Sequence, residues 1–206
     1  MEQEMKYAIS SKEMADKIWE DAYIKDFCDE KTRETLVMKA IYFDTEDRIL
    51  SNNNMTVRVR GESEHKFATL KWGGCSTNGF HERKEINIPV NDDSFIAPAA
   101  DMFKDSEDGT VLLDLIGNKP LLNLLEMRYL RRKVRLNYKD SLVELAIDCG
   151  DIITDKGNAP ILELELELLV GNVTDLKALG EEFVKNFELK PEDRSKFARG
   201  LAKLDE

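Results

Sequence analysis

At 206 residues, 42% hydrophobic and 34% charged, the chain is long enough to bury a sizeable core in one large domain. A formal net charge of −11 argues against a general nucleic-acid binder, and no apolar run approaches the roughly 20 residues that a membrane span needs. Three widely spaced cysteines (Cys28, Cys75, Cys149) and two histidines give neither a disulfide framework nor zinc-ligand spacing, which fits a reducing, cytoplasmic setting.

Period-two alternation predicts a first strand over 1–9, with Glu2, Glu4 and Lys6 on one face. Ser10-Ser11 then caps a helix, Ser10 and Glu13 standing at capping-box spacing, with Met14, Ile18 and Ala22 along one side until it fades near Cys28. A Val/Ile/Tyr/Phe-rich strand follows over 35–45, and 47–54 reads as a turn. The segment 55–72 reads as a hairpin turning at 61–64, with Arg58 and Arg60 on one face and Thr69 and Lys71 in register on the return. Gly73-Gly74 should break that strand. The next, 81–90, lines up His81, Arg83, Glu85 and Asn87 until Pro89 weakens it.

From 91 to 118 the period changes. Asp92, Pro98, Asp101 and Asp108-Gly109 punctuate it, and Val111, Leu112, Leu115 and Ile116 predict a short helix stopped by Gly117. Pro120 should open a second short helix through Leu125. A strand over 127–138 carries Arg131, Lys133 and Arg135 in alternation. Its pair over 142–149 sets Glu144 and Asp148 on one face and Val143, Leu145 and Ile147 on the other. A loop with Gly150, Gly157 and Pro160 leads to 161–168, where Leu162, Leu164, Leu166 and Leu168 oppose Glu163, Glu165 and Glu167. Two helices end the chain: one striped by Val173, Leu176, Leu179, Phe183 and Phe187, and, after Pro191, one with Phe197, Leu201 and Leu204 on its apolar side and Lys196, Arg199 and Lys203 away from it.

Each strand alone reads as half of a solvated sheet. Together their polar positions are segregated: basic at 58/60/71 and 131/133/135, acidic at 144/148 and 163/165/167, mixed at 2/4/6. Antiparallel strands with apolar outer and charged inner faces can close into a barrel with a charged lumen, the helices covering its outside. Stripping ions of water is costly unless they are paired, so such a lumen calls for ligands. Carboxylate oxygens without His or Cys suit hard ions such as Mg²⁺ or Mn²⁺, and Arg/Lys sets suit phosphate oxygens. No GxGxxG, GxxxxGK[ST] or GxSxG motif competes with that reading.

Glu2-x-Glu4-x-Lys6 resembles the ExExK signature of the CYTH, or triphosphate tunnel metalloenzyme, superfamily. Further segments resemble its bacterial inorganic triphosphatase branch in order along the chain. They are 41–45, 57–62, 69–71, His81-x-Arg83-x-Glu85-x-Asn87, Glu144 to Gly150, the acidic strand from Pro160, and Ser195 to Gly200. The resemblance implies an α+β fold over 1–206, an eight-stranded antiparallel β-barrel or tunnel with helices packed outside. It implies metal positions at Glu2, Glu4, Asp148, Glu165 and Glu167, and triphosphate-binding positions at Lys6, Arg58, Arg60, Lys71, Arg83, Arg131 and Lys196. Glu163 and Glu144 become inner-wall partners, and Glu2, Glu4, Lys6 and Glu165 the catalytic set. Its triphosphatases often carry a further helical, histidine-rich domain, for which 206 residues leave no room. The activity implied is Mg²⁺- or Mn²⁺-dependent hydrolysis of inorganic triphosphate to pyrophosphate and phosphate, with no nucleic-acid or membrane partner. Hydrolysis of an organic triphosphate, cyclisation of ATP and non-catalytic polyphosphate binding stay open beside it.

Overall fold

The computed structural model describes residues 1–91 and 95–206; Asp92 therefore lies outside the described residues. Strands β1 (Glu2–Ala8), β2 (Cys28–Asp44), β3 (Met55–Glu62), β4 (His65–Thr77), β5 (Phe80–Pro89), β6 (Leu122–Tyr138), β7 (Ser141–Thr154) and β8 (Gly157–Val170) form one antiparallel sheet in the order β5-β4-β3-β2-β6-β7-β8-β1. Pairing of β1 with β5, Glu2 opposite Arg83 and Glu4 opposite His81, closes it into an eight-stranded barrel. A two-residue strand, β9 (Lys190–Pro191), extends the free edge of β1 past the end of β5.

Helices α1 (Lys12–Glu20), α2 (Ala22–Lys25), α3 (Ile49–Asn52), α4 (Glu107–Ile116) and α5 (Val173–Phe187) lie outside the barrel. The side-chain alternation of the strands explains where they sit. Val143, Leu145, Ile147, Leu164 and Leu166 point outward and form one core with Ile18 of α1, Ile24 of α2 and Leu176, Leu179 and Phe183 of α5. On the opposite side, Val57, Val59 and Leu70 pack with Leu50, Phe103 and Leu112.

A sixth helix, α6 (Lys196–Leu204), has a different position. Phe197, with Leu201 and Leu204 packed alongside, joins Met38, Ala40, Tyr42, Leu125, Met127, Ile152 and Ile161. These strand residues alternate with the outward-facing set, so this third core is internal and stops one end of the barrel. The lumen is therefore not charged all round: the inner face of β2 and the start of β6 is apolar.

Several local expectations are corrected. Ser11, not Ser10, caps α1, its hydroxyl accepting from Met14 N at 3.2 Å, and the helical segment breaks at Asp21. The 47–54 turn contains α3, whose amides at Leu50 and Ser51 are held by the buried Asp44 carboxylate at 2.9 Å each. Gly73-Gly74 is a bulge rather than an end, and β4 runs on to Thr77. No helix follows Pro120; β6 begins at Leu122, because its leucines pair across to β2 and fill the barrel. The loop expected between Gly150 and Pro160 is strand almost throughout, Gly150 pairing with Ile161 and Thr154 with Gly157. A side chain at Gly150 would meet Arg128 O at 2.1 Å, so only glycine lets β6 and β7 approach there. No helix among the described residues is long and apolar enough to cross a membrane.

Candidate active site: a charged tunnel

The barrel encloses a cavity of about 250 Å³ lined by Glu2, Glu4, Lys6, Arg58, Arg60, Lys71, His81, Arg83, Glu85, Arg131, Glu144, Glu165, Glu167 and Lys196, among others. Of the residues expected from sequence, all but Asp148 and Glu163 line it; Asp148 is paired with Arg131 and Lys196, and Glu163 with Lys196 and Arg199.

Strand register sorts the carboxylates into two groups. Across β7, β8 and β1, Glu144, Glu167 and Glu4 stand directly opposite one another. The next inward row sets Glu165 opposite Lys6, and the one after sets Asp148 opposite both Glu163 and Arg131.

The deeper group is saturated with cations. Arg131 donates to both Asp148 oxygens at 2.8 and 2.7 Å and to Glu165 Oε2 at 2.6 Å. Lys196 Nζ lies 2.7 Å from Asp148 and 2.9 Å from Glu165, and it also bonds Glu163, which pairs with Arg199 as well. Lys6 Nζ is 2.9 Å from Glu165 and 3.1 Å from Glu4. Burial would push the Asp148 and Glu165 carboxyls up, but Arg131 and Lys196, joined at Glu165 by Lys6, hold both below the usual range. In the same way burial is outweighed at Lys6 by Glu165, Glu4 and Glu163, and its ammonium is held above its ordinary value. Lys196 and Arg199 thus face the barrel carboxylates, not away from them: the first turn of α6 brings both to Glu163 while Phe197 beside them packs in the third core.

The outer group has too few cations. Glu2 accepts from Lys71 at 2.6 Å and Glu4 pairs with Lys6, while Glu167 forms no ion pair among the described residues. Burial, then Glu2, Glu4 and Glu144, push the Glu167 carboxyl up to about 7. Like charges directly opposite on neighbouring strands repel. A hard divalent cation is the species that relieves such a row, so the oxygen-only donor set of Glu2, Glu4 and Glu167 suits one in charge and donor type. Among the described residues, the buried trio Asp148, Glu163 and Glu165 is the group whose ligand oxygens come within 4.8 Å of one another. Its oxygens are taken by Lys196, Arg131 and Arg199, which an ion would have to displace, so it fits a metal less well.

The basic wall faces this row from β3, β4 and β5. Arg58, 8% exposed, donates from Nη1 to Tyr42 Oη at 3.2 Å, yet its Nε and Nη2 have no partner among the described residues. Arg60 pairs with Glu62 at 2.5 Å and leaves its buried Nε unpartnered. Arg83 makes no ion pair among the described residues, and Lys71 is shared between Glu2 and Glu85, 2.8 Å away. Lys71 and Arg58 overcome burial to lower Glu85 to about 2.

Sequence reasoning missed Glu85 and Tyr42 as site residues. Glu85 was visible as the third polar position of His81-x-Arg83-x-Glu85. Tyr42 reads as a packing aromatic, and it does stack on Phe197 with centroids 4.9 Å apart, but its hydroxyl also accepts from Arg58. His81 is buried and bonded through Nε2 to Glu192 O at 2.8 Å; burial, then Lys6, lower its pKa and keep the ring neutral.

Comparison with known proteins agrees with this architecture. The CYTH domain model matches residues 1–201. An inorganic triphosphatase of Haemophilus influenzae is 29% identical over 143 residues, a match covering 69% of this chain and 39% of that protein. The chain thus spans about two fifths of the length of the curated relative it matches. A Hippeastrum protein described as a putative adenylyl cyclase with a dominant triphosphatase activity superposes with a TM-score of 0.68 at 16% identity, covering 98% of this chain and 96% of that one. A putative adenylate cyclase of Bacillus halodurans gives 0.61 at 18% identity, over 97% and 98%. At those identities the likeness is one of fold. With the family model matched along almost its whole length, the chain belongs to the CYTH domain family.

Proposed function

We propose that the chain, as one tunnel domain over 1–206, is a divalent-metal-dependent triphosphatase that cleaves inorganic triphosphate to pyrophosphate and phosphate. The observation that carries this is Arg58: a guanidinium with two nitrogens unpartnered among the described residues, buried in a tunnel that Glu2, Glu4 and Glu167 also line. A buried cation left under-bonded costs free energy, and an anion with several oxygens removes that cost. The Haemophilus influenzae relative supports the substrate class.

In this reading Arg58, Arg60, Lys71 and Arg83 hold the phosphate oxygens from one wall, with Lys6, Arg131 and Lys196 at the closed end. Glu2, Glu4 and Glu167 hold the metal, Mg²⁺ or Mn²⁺. Asp148 and Glu165, also expected as ligands from sequence, pair with Arg131, Lys196 and Lys6. When bound, such an ion neutralises phosphate oxygens and draws charge from the reacting centre. Water attacks the terminal phosphorus, the bridging P–O bond breaks, pyrophosphate leaves with the electron pair, and one proton passes to solvent. The basic wall keeps the three phosphates in line and stabilises charge on the leaving oxygens.

Narrow space favours an inorganic chain over a nucleotide. Tyr42 is stacked on Phe197, and Tyr129 lies against Arg131 and Lys196, their charges 5.8 and 5.5 Å from its ring, so neither offers a base a free face. The net charge of −11 supports the absence of a nucleic-acid partner, and three free cysteines support a cytoplasmic location. The test is phosphate release from tripolyphosphate, ATP and thiamine triphosphate with Mg²⁺, with Mn²⁺ and with EDTA. Turnover of tripolyphosphate that EDTA abolishes is expected; tight binding without turnover of any of the three would reduce the protein to a binding module.

A further inference from the structure

Strand β1 changes neighbours at Lys6. Glu2 to Met5 pair with β5, whereas Tyr7 and Ala8 pair with β9. At the junction Lys6 N donates to Gly79 O at 2.7 Å and Lys6 O accepts from Glu192 N at 3.1 Å. Three more bonds tie the segment after β9 to the β4–β5 turn. Asp193 Oδ1 accepts from Gly79 N at 2.7 Å, Asp193 O accepts from Ser76 Oγ at 2.8 Å, and Glu192 O accepts from His81 Nε2 at 2.8 Å. A carbonyl can only accept, so the neutral His81 carries its proton on Nε2. Gly79 has φ +79°, and a Cβ there would lie 2.7 Å from Lys6 O and 3.1 Å from Pro191 Cβ. The turn therefore fits flush against β1 and β9 only as glycine.

Three residues beyond Asp193, Lys196 enters the lumen as the first residue of α6. Lys6 is held independently by its pairing with β8. Lys196 opens a nine-residue helix that Phe197, Leu201 and Leu204 seat in the third core, and the segment carrying Asp193 leads directly into its first turn. The Asp193 side chain stands outside the tunnel, is exposed, and accepts a charge-assisted bond from a backbone amide that cannot move without moving the barrel seam.

We propose that Asp193 is a positioning residue: by clasping the Gly79 amide it fixes the depth at which Lys196 reaches into the tunnel. This rests on the reading of Lys196 as one of the cations that hold tripolyphosphate. Displacement of a binding group by about 1 Å can cost up to about a hundredfold, so an exposed carboxylate far from the phosphates can matter.

The test compares wild type with Asp193→Ala, Asp193→Asn, Lys196→Ala and the Asp193→Ala/Lys196→Ala double variant. The readouts are KM and kcat for tripolyphosphate and the rise in Tm that tripolyphosphate produces. Asp193→Ala is expected to raise KM about tenfold and to shrink the ligand-induced rise in Tm, with kcat changed less. Asp193→Asn, which keeps the Oδ1 acceptor, should stay near wild type. In the Lys196→Ala background Asp193→Ala should add nothing, because a positioning residue has no effect once the group it positions is gone. If Asp193→Ala lowers Tm and leaves KM unchanged, or adds its full effect to Lys196→Ala, the clasp is structural only and the proposal fails. If Lys196→Ala itself behaves as wild type, the assignment of Lys196 fails and takes the clasp with it. Should Asp193→Ala not fold, Ser76→Ala removes only the neighbouring bond; a KM rise of about threefold supports the clasp and no rise overturns it.

Discussion

Glu163 and Glu167 lie on one strand, face one lumen and differ only in what stands opposite. Glu163 meets Lys196 and Arg199, and its row holds Asp148 with Arg131 behind it. Glu167 meets Glu144 and Glu4. The inner end of the acidic strand is thus an ion network in which each carboxylate is paired within the protein. The outer end is unfinished, with repelling carboxylates on one wall and under-bonded guanidinium groups on another. A repeat of alternate glutamates therefore says little about which of them serves a ligand; the cross-strand neighbour decides.

Substitutions that treat the two ends alike should have unlike effects. The largest is expected at Glu4→Gln, which removes a charge from the repelling row. Turnover of tripolyphosphate should fall by about a thousandfold while Tm holds or rises. Fall in Tm with turnover intact would mean that the outer row is structural. Next comes Asp148→Asn, which leaves Arg131 and Lys196 buried without their shared counter-charge. Denaturant unfolding should show a loss of about 3 kcal/mol, with activity lost only as a consequence. Arg58→Met keeps volume and removes the unpartnered guanidinium. Steady-state kinetics should give a loss of about a hundredfold in kcat/KM, with stability unchanged or improved; marked destabilisation would show that Arg58 is satisfied after all.

The smallest effect is a pH dependence. In metal-free protein Glu167 titrates at about 7, above its unfolded value of 4.5. The native state then holds a proton that the unfolded state has released, so this contribution is full below 4.5 and is lost as pH rises through 7. Thermal melts of Glu167→Gln should lack that decline and exceed wild type by about 2 kcal/mol at pH 8. At Glu85, lowered to about 2, the sign is opposite: its contribution is present above 4.5 and is lost as pH falls toward 2.

Alternation made most strands legible, along with the faces carrying Arg58, Arg60, Lys71, Arg131 and the three glutamates. That signal is local and survives because each strand has one face against helices and one against the lumen. Features set by long-range contact were not legible. The leucines before Met127 fit a short helix as well as a strand, and only pairing with β2 and burial inside the barrel decide for the strand. The amphipathic pattern of 196–204 says which side is apolar but not that the first turn of the helix enters the barrel, where Lys196 is as buried as Phe197, both at 8% exposure. The division of carboxylates into paired and unpaired needs the register of β7, β8 and β1, which no single strand encodes.

The shared edge of β1 also bears on how the molecule folds. β1 pairs with β8 near the far end of the chain and with β5 in its middle, and β9 must arrive after α5 to complete that edge. Such non-local pairings form slowly, because the loop they close is entropically expensive and is rewarded only at the end. On that ground Glu2, Glu4 and Lys6 should join the other lumen groups late, as the barrel closes. Because Lys6 on β1 and Lys196 on α6 complete the set of cations around the cavity, tripolyphosphate added during refolding should leave the early phases unchanged and accumulate its stabilisation in the final one.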